Sequence, residues 1–324
     1  MYALENSSTS CIPGHLNMNY NHIAQHYISY VIICVTNSLT AAMAIFINVL
    51  VILAILKTPV IHTPPNTLLG CLAVTDFLTG FIAQPAFIAN KVFLMQQNFE
   101  NFCWAILATS ASSYILTGTS FLVLTSIAVD KFIAMKLHLR YNELVTCKRA
   151  LLTVFILFIF TCCLTSMLYI NRPVFNVIAI GNILANFILQ WFAYFKVFRT
   201  VNQHRKRIKT ETSIPNSCGR IDTVYFHKIS RSSSTMIYIV ILSVLCYVPF
   251  VVVRVTESLF DSVDKNLQFA EKIAMTIVYS NSVLNPLLYC YRITSLRRAI
   301  FKVLKLEYNR NKVNSIAPSG FHFQ

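Results

Sequence analysis

Seven stretches of this chain carry almost no charge, and their length decides where they can sit. Ile28–Leu56, Phe102–Val129, Ala150–Asn171, Pro173–Phe195, Ser232–Val253 and Ile273–Tyr291 contain no Asp, Glu, Lys or Arg, and Thr67–Asn90 contains only Asp76. A hydrocarbon layer about 30 Å thick needs roughly 20 helical residues to cross it. Each stretch reaches that length, or does so with its flanking residues. Backbone polar groups must be satisfied within lipid, which leaves helices or closed barrels. Barrel strands would read as alternating segments of about 10 residues, unlike these runs. The expected fold class is an all-α membrane protein, a seven-transmembrane helix bundle. Of the 324 residues 56% are hydrophobic and only 12% charged, against about 25% charged in a soluble domain.

Charge sets the orientation. Residues 1–27 lack the basic start and short apolar core of a cleavable signal, so the first span serves as its own insertion signal. The tail holds Glu5 and no Lys or Arg, whereas Lys57 follows the first span. The positive-inside rule then places the N-terminus outside, and seven crossings place the C-terminus in the cytoplasm. Of the 27 Lys and Arg residues, all but Lys91, Arg172, Arg254, Lys265 and Lys272 fall on the inner side. That basic surface suits anionic lipid and an acidic protein partner. Nucleic acid is not an expected partner, because the bases flank spans and form no separate domain.

Four regions follow: an outer tail over 1–27, the bundle over 28–291, an amphipathic helix over 292–306 and a disordered inner tail over 307–324. In the third, Leu296, Ile300, Val303 and Leu304 share a face and Arg297, Arg298 and Lys302 lie on others, the pattern of a helix lying on a membrane surface. The longest inner loop is expected from about Gln203 to His227, around Pro215 and Gly219. Cys11 and Cys103 are the only cysteines at the outer face, and they either pair or stay as thiols. Asn6 begins an Asn-Ser-Ser glycosylation triplet in the outer tail.

Asp76 is the one acid deep in a span, and a buried acid there costs about 2.5–3.5 kcal/mol on insertion scales. Asn48, Ser120, Asn281, Ser282 and Asn285 are its candidate partners. Together these oxygens either hold a sodium ion, since hard cations prefer oxygen ligands, or form a network that joins helices. Pro249 and Pro286 interrupt spans six and seven as simple kinks or as hinges. Asn285 is expected to satisfy the backbone disturbed by Pro286, and Tyr289 to bring a hydroxyl near the inner surface. No Cys/His set has metal-ligand spacing and no Ser/His/Asp arrangement stands out, so no enzyme is expected.

Taken in order, "NVLV" at Asn48, "LAVTD" ending at Asp76, "VDKFIAMKLHLRY" from Val129, "CYVP" ending at Pro249 and "NSVLNPLLY" from Asn281 resemble the motifs of rhodopsin-like (class A) G-protein-coupled receptors. The resemblance covers about residues 28–305. It implies a ligand-activated receptor that catalyses nothing itself and promotes nucleotide exchange on a heterotrimeric G protein at the plasma membrane. It also implies that spans five and six open at their cytoplasmic ends. Asp76, Ser120, Asn281 and Ser282 match the family's sodium pocket, which would be the only bound cofactor. Tyr194 and Tyr289 match two tyrosines that stabilise the active arrangement, and Tyr247 stands where a tryptophan is usual.

Departures are also visible. Lys131 follows Asp130 where the family has arginine, Phe132 replaces tyrosine and His138 a loop proline. Ser243 replaces a phenylalanine, Phe158 a tryptophan and Asn186 a proline. The span-six residue matching the family's usual acid is Ile229, which implies altered coupling. The loop after span four has no cysteine. A tiny second outer loop and the missing span-five proline are similar to the branch of melanocortin, cannabinoid, lysolipid and adenosine receptors. The ligand pocket implied by the resemblance is lined by Ser110, Ser113, Tyr114, Thr117, Asn182, Tyr247, Phe250, Arg254, Glu257, Met275 and Tyr279. Ser113 holds the position of the amine receptors' aspartate, and Tyr279 that of the retinal lysine. Arg254 and Glu257 either pair along their helix or leave Arg254 to receive an acidic ligand group. The ligand class stays open. Rival readings are a receptor-like binding protein with impaired signalling and a seven-span transporter.

Overall fold

A computed structural model describes residues 26–137, 140–211, 220–260 and 265–316; the side chains at 99, 142, 204–211, 220–237, 260, 265 and 306–316 fall outside that description. Seven long helices follow one another: α1 (Tyr27–Lys57), α2 (Pro64–Met95), α3 (Phe99–Leu137), α4 (Cys147–Ile170), α5 (Arg172–Glu211), α6 (Arg220–Phe260) and α7 (Lys265–Arg292). An eighth, α8, runs Thr294–Ile316. Helices α1 to α6 are each long and apolar enough to cross a membrane. Helix α7 is less apolar, because its outer end holds Glu271 and Lys272 and its middle holds Asn281, Ser282 and Asn285.

Burial sorts the helices. Two thirds of the apolar window of α3 is buried, 67%, against 11% for α4. Helix α3 is therefore the central post, and α4 leans on its side. Large side chains turned outward, such as Phe155 and Trp191, are what lipid would cover; in water they would form an apolar patch far larger than soluble proteins expose. Inside, among the described residues, two large apolar clusters stack along the bundle, with a small third at Tyr30, Leu94 and Phe102. The inner one gathers Val51, Leu72, Ile127, Tyr194, Ile239 and Tyr289. The outer one gathers Phe87, Phe121, Tyr247, Phe250, Met275 and Tyr279.

Helix α2 is irregular at its middle, around Pro85. Pro85 has no N–H to donate to Phe81, and its ring would clash with that carbonyl in a regular helix. The chain widens into a π turn over Thr79–Ala83, with Gln84 N–H donating to Thr79 C=O. Such a turn inserts one residue and re-aims everything beyond it. Gly80 permits the close approach to α1 at this point: an added Cβ would lie 3.1 Å from both Ala41 O and Ala44 Cβ.

Three boundaries differ from expectation. The inner loop expected over 203–227 is helical to Glu211 and again from Arg220, because helix-forming residues continue up to the breakers Pro215 and Gly219. Helix α8 continues to Ile316, through part of the tail expected to be disordered from 307; no Gly or Pro occurs before Pro318. Its packing also differs. Leu296, Ala299 and Val303 are buried against the inner cluster, whereas Leu304 and Phe301 are exposed. The helix thus presents one stripe to the bundle and a second to the lipid side.

Candidate functional site

The polar layer is built on one carboxylate. Asp76 is fully buried; Ser120 Oγ of α3 donates to its Oδ1 at 2.9 Å and Asn285 Nδ2 of α7 to its Oδ2 at 3.4 Å. Asn281, Ser282 and Asn285 are buried around the same layer, and the side-chain oxygens of Asn281 and Asn285 have no hydrogen-bond partner. Asn48 does not reach the carboxylate. Its Nδ2 donates to Ala44 O at 2.8 Å and to Ser282 O at 3.0 Å, tying α1 to the backbone of α7. Asn285 likewise reaches Asp76, at 3.4 Å, rather than the backbone near Pro286. Pro249 and Pro286 both lie within continuous helices.

Toward the outer end, two cavities open side by side. The first is about 800 Å³ counting its mouth, lies between α3, α4, α5, α6 and α7, and is lined by Tyr114, Thr117, Asn182, Tyr247, Phe250, Arg254 and Met275 among others. Tyr247 forms its floor. Its hydroxyl donates to Thr117 O at 3.1 Å, and its ring lies 4.6 Å from that of Phe121. The second cavity shares Tyr114, Phe250, Arg254 and Met275 with the first, and adds Ser110, Ser113, Lys91, Thr109, Arg172, Glu271 and Lys272.

Arg254 joins three helix ends. Its Nη1 lies 2.7 Å from Glu257 Oε2 and 3.4 Å from Glu271 Oε1, and its Nη2 donates to Asn176 Oδ1 at 2.5 Å. Lys272 holds the other oxygen of Glu271 at 2.7 Å. The planar guanidinium suits this fork of acceptors. Glu257 is therefore Arg254's partner and does not line either cavity. Tyr279 also departs from the expected pocket wall. It is fully buried, hydrogen-bonds Ser113 and packs its ring 5.4 Å from Phe87. A phenol at that depth needs a partner for its hydroxyl, and Ser113 supplies it across the α3–α7 contact.

This arrangement of seven spans, a buried mid-span acid and an outer cavity can be compared with known proteins. The family model described as 7 transmembrane receptor (rhodopsin family) matches residues 47–178 and 170–289. The chain belongs to the rhodopsin family of seven-transmembrane receptors. Adenosine receptor A2b of Gallus gallus is 25% identical over 82% of this chain and 85% of its own length. Adenosine receptor A2a of Cavia porcellus is 24% identical over 84% and 72% respectively. Trace amine-associated receptor 365 of Petromyzon marinus is 25% identical over 93% and 87%. The protein is a G-protein-coupled receptor of the membrane, not an enzyme.

At the inner end of the receptor, Asp130 is buried and accepts a hydrogen bond from Tyr141 Oη at 2.6 Å, while its Oδ2 has no hydrogen-bond partner. That phenol comes from the one-turn helix Tyr141–Leu144, which follows α3. Lys131 is half-buried beside it. Tyr194 and Tyr289 both sit in the inner cluster, and the hydroxyl of Tyr289 has no partner. The Ile229 side chain, His138, Asn6 and Cys11 lie outside the described residues. Cys103 is disulfide-bonded, and the seven other described cysteines are free.

The outer site also holds residues not among those expected from the sequence: Asn90, Lys91, Thr109, Asn176, Glu271 and Lys272. Lys91 had a signal. It stands in "IANKVFLM", one lysine inside an apolar turn, which is a poor setting for a loop charge. Asn186, where the family has proline, donates to Asn182 O at 2.8 Å, and Gln190 donates to Thr125 Oγ1 at 2.7 Å, joining α5 to α3.

Proposed function

We propose that this receptor binds an extracellular ligand in the outer cavities and relays it to a heterotrimeric G protein by opening the cytoplasmic ends of α5 and α6. The observation that carries this reading is Tyr247. It forms the cavity floor on α6 and is hydrogen-bonded to α3 at Thr117, so a ligand that displaces that contact changes how α6 rests on α3. A ligand shifts the two arrangements only by its difference in affinity for them. In this reading the N-terminus is extracellular, Asn6 is glycosylated, Cys103 pairs with Cys11, the membrane is the plasma membrane and lipid covers the outward apolar side chains. The relatives' names point to adenosine and to trace amines. Ser113, where an amine receptor keeps an aspartate, speaks against an amine.

Sodium fits the polar layer: one carboxylate, the Ser120 hydroxyl and the unpartnered oxygens of Asn281 and Asn285 are hard donors. In that role Asp76 supplies the charge and α7 supplies the neutral oxygens, so a cation would hold α2, α3 and α7 together. Thermal unfolding of the purified receptor in sodium chloride against choline chloride checks this. Sodium should raise Tm in the parent and leave Asp76→Asn unchanged; equal curves for the parent in both salts remove the site.

Nucleotide exchange on several G-protein classes, at equal surface expression, tests the relay. Lys131→Arg should change basal exchange, since arginine's fork makes contacts that a lysine point charge does not. Parent and variant with no exchange under any ligand would favour the impaired-signalling reading.

A further inference from the structure

Lys91 is out of balance with its surroundings. It is 3% exposed, and its ammonium reaches the Asn90 side-chain oxygen at 2.6 Å and stands 4.7 Å from the centre of the Phe87 ring. Among the described residues no carboxylate lies within 4.0 Å of it. An ammonium has three donors, and Asn90 takes one. Burying an ion without a counter-ion costs several kcal/mol in real proteins, and charged groups at membrane depth are rare and functional.

The acid on the same cavity is already committed: Glu271 is bound by Lys272 and Arg254. The cavity wall carries four cations, Lys91, Arg172, Arg254 and Lys272. Against them stand Glu271 and Glu257, the latter held by Arg254. Among the described residues of this cavity and their ion pairs, two positive charges remain in excess. Two further polar atoms are buried without a hydrogen-bond partner among the described residues, Asn90 Nδ2 and Thr109 Oγ1. The first is a donor and the second can be one. Both flank the cavity into which Lys91 faces.

We propose that this second cavity seats the acid group of the ligand, a carboxylate or a phosphate monoester held by Lys91 with Asn90 and Thr109, while the ligand's apolar body lies in the first cavity. The assignment rests on the reading that the outer cavities are the ligand site. A cationic ligand would add to the positive excess. A neutral one would leave the ammonium unpaired. An anion supplies the missing counter-charge and accepts from the idle donors, and charge-assisted hydrogen bonds of this kind are about twice as strong as neutral ones. The shared walls Tyr114, Phe250 and Met275 give the body an apolar path from one cavity to the other. Arg254 is a poorer seat than Lys91, since Glu257, Glu271 and Asn176 already occupy its fork.

The test is thermal unfolding of the full-length purified receptor with four probes of one shape: phenylhexanoate, phenylhexyl phosphate, phenylhexanol and phenylhexylamine. The two anions should raise Tm in a saturable way, with affinity about tenfold or more above that of the alcohol, and the amine should do nothing. Whichever anion binds more tightly identifies carboxylate or phosphate as the natural group. Lys91→Met should bring the anions down to the level of the alcohol. The proposal is overturned if neither anion stabilises the parent, if alcohol or amine does as well, or if Lys91→Met keeps the anion preference. The comparison of probes on the parent decides the matter even if that variant cannot be purified. Nucleotide exchange keeps the two readings apart. Anion binding without exchange supports the acid site and counts against the relay, whereas exchange evoked by the amine overturns the acid site and leaves the relay standing.

Discussion

Arg254 and Lys91 face the same outer cavity, one from α6 and one from α2, and their surroundings differ in kind. Around Arg254, the ends of α5, α6 and α7 bring two carboxylates and an amide oxygen to one guanidinium. Around Lys91, the ends of α2 and α3 bring one amide oxygen, a ring face and two idle polar atoms. The first region is finished within the chain, so its charges act as a clasp between helices. The second region stores an uncompensated charge, which is a cost to the empty receptor and a resource for binding. Depth is similar for both cations, so depth alone does not separate structural from functional charge. The partner inventory does.

Breaking the clasp should give the largest effect. Arg254→Met leaves Glu257 without its ion-pair partner and Glu271 with Lys272 as the one described cation within 4.0 Å, and removal of one partner from a buried pair costs about 3–5 kcal/mol. Both carboxylates keep some exposure, near 18–19% for their side chains, so about 3 kcal/mol is the expected loss, read as a fall in Tm and in surface expression. Glu271→Gln is milder, about 2 kcal/mol, because Arg254 keeps Glu257 while Lys272 loses its charged acceptor. If Glu271→Gln proved more damaging than Arg254→Met, the clasp would be centred on the wrong residue.

Lys91→Met should move the other way. Methionine fills a similar volume without charge, so the ligand-free receptor is expected to gain about 1.5 kcal/mol, the relief of burial less the lost hydrogen bond to Asn90. Opposite signs for two buried cations on one cavity are the sharpest form of the comparison. A fall in Tm with Lys91→Met would show that the lysine is already satisfied in the folded chain.

The sequence made some of this visible and hid the rest for physical reasons. Spans are legible because lipid demands long uncharged runs, and Asp76 is legible because an acid inside such a run has no bland explanation. The pairing of Arg254 with Glu257 was open on helical spacing. Its contacts to Asn176 and Glu271, 78 and 17 residues away, depend on how three helices lean together, which spacing does not encode. Lys91 was counted only as a charge on the outer side, because it lies just past the apolar run. The π turn at Pro85 re-aims the outer half of α2 and carries that lysine inward, and the proline itself was the clue. Tyr279 was assigned to the pocket wall by family position, but its bond to Ser113 turns the hydroxyl into a brace.

The smallest predicted effects give the finest comparison, one substitution at two threonines of the same helix. Thr119 Oγ1 lies 2.7 Å from Ile115 O and 2.8 Å from Thr161 Oγ1, so α3 and α4 meet there through a satisfied hydroxyl. Thr119→Val removes a made hydrogen bond and should cost about 1 kcal/mol. Thr109 Oγ1 is equally shut away and has no partner. Thr109→Val exchanges a desolvated hydroxyl for a methyl of the same shape, which should stabilise the receptor slightly, by about 0.5 kcal/mol, and so raise Tm. Tm of the two variants, measured side by side without ligand, gives the contrast. With a bound anion the sign at Thr109 should reverse, since the hydroxyl then has an acceptor and valine does not. If Thr109→Val weakened the ligand-free receptor as much as Thr119→Val did, its hydroxyl would be engaged within the chain, and the cavity beside Lys91 would lose one of its idle donors.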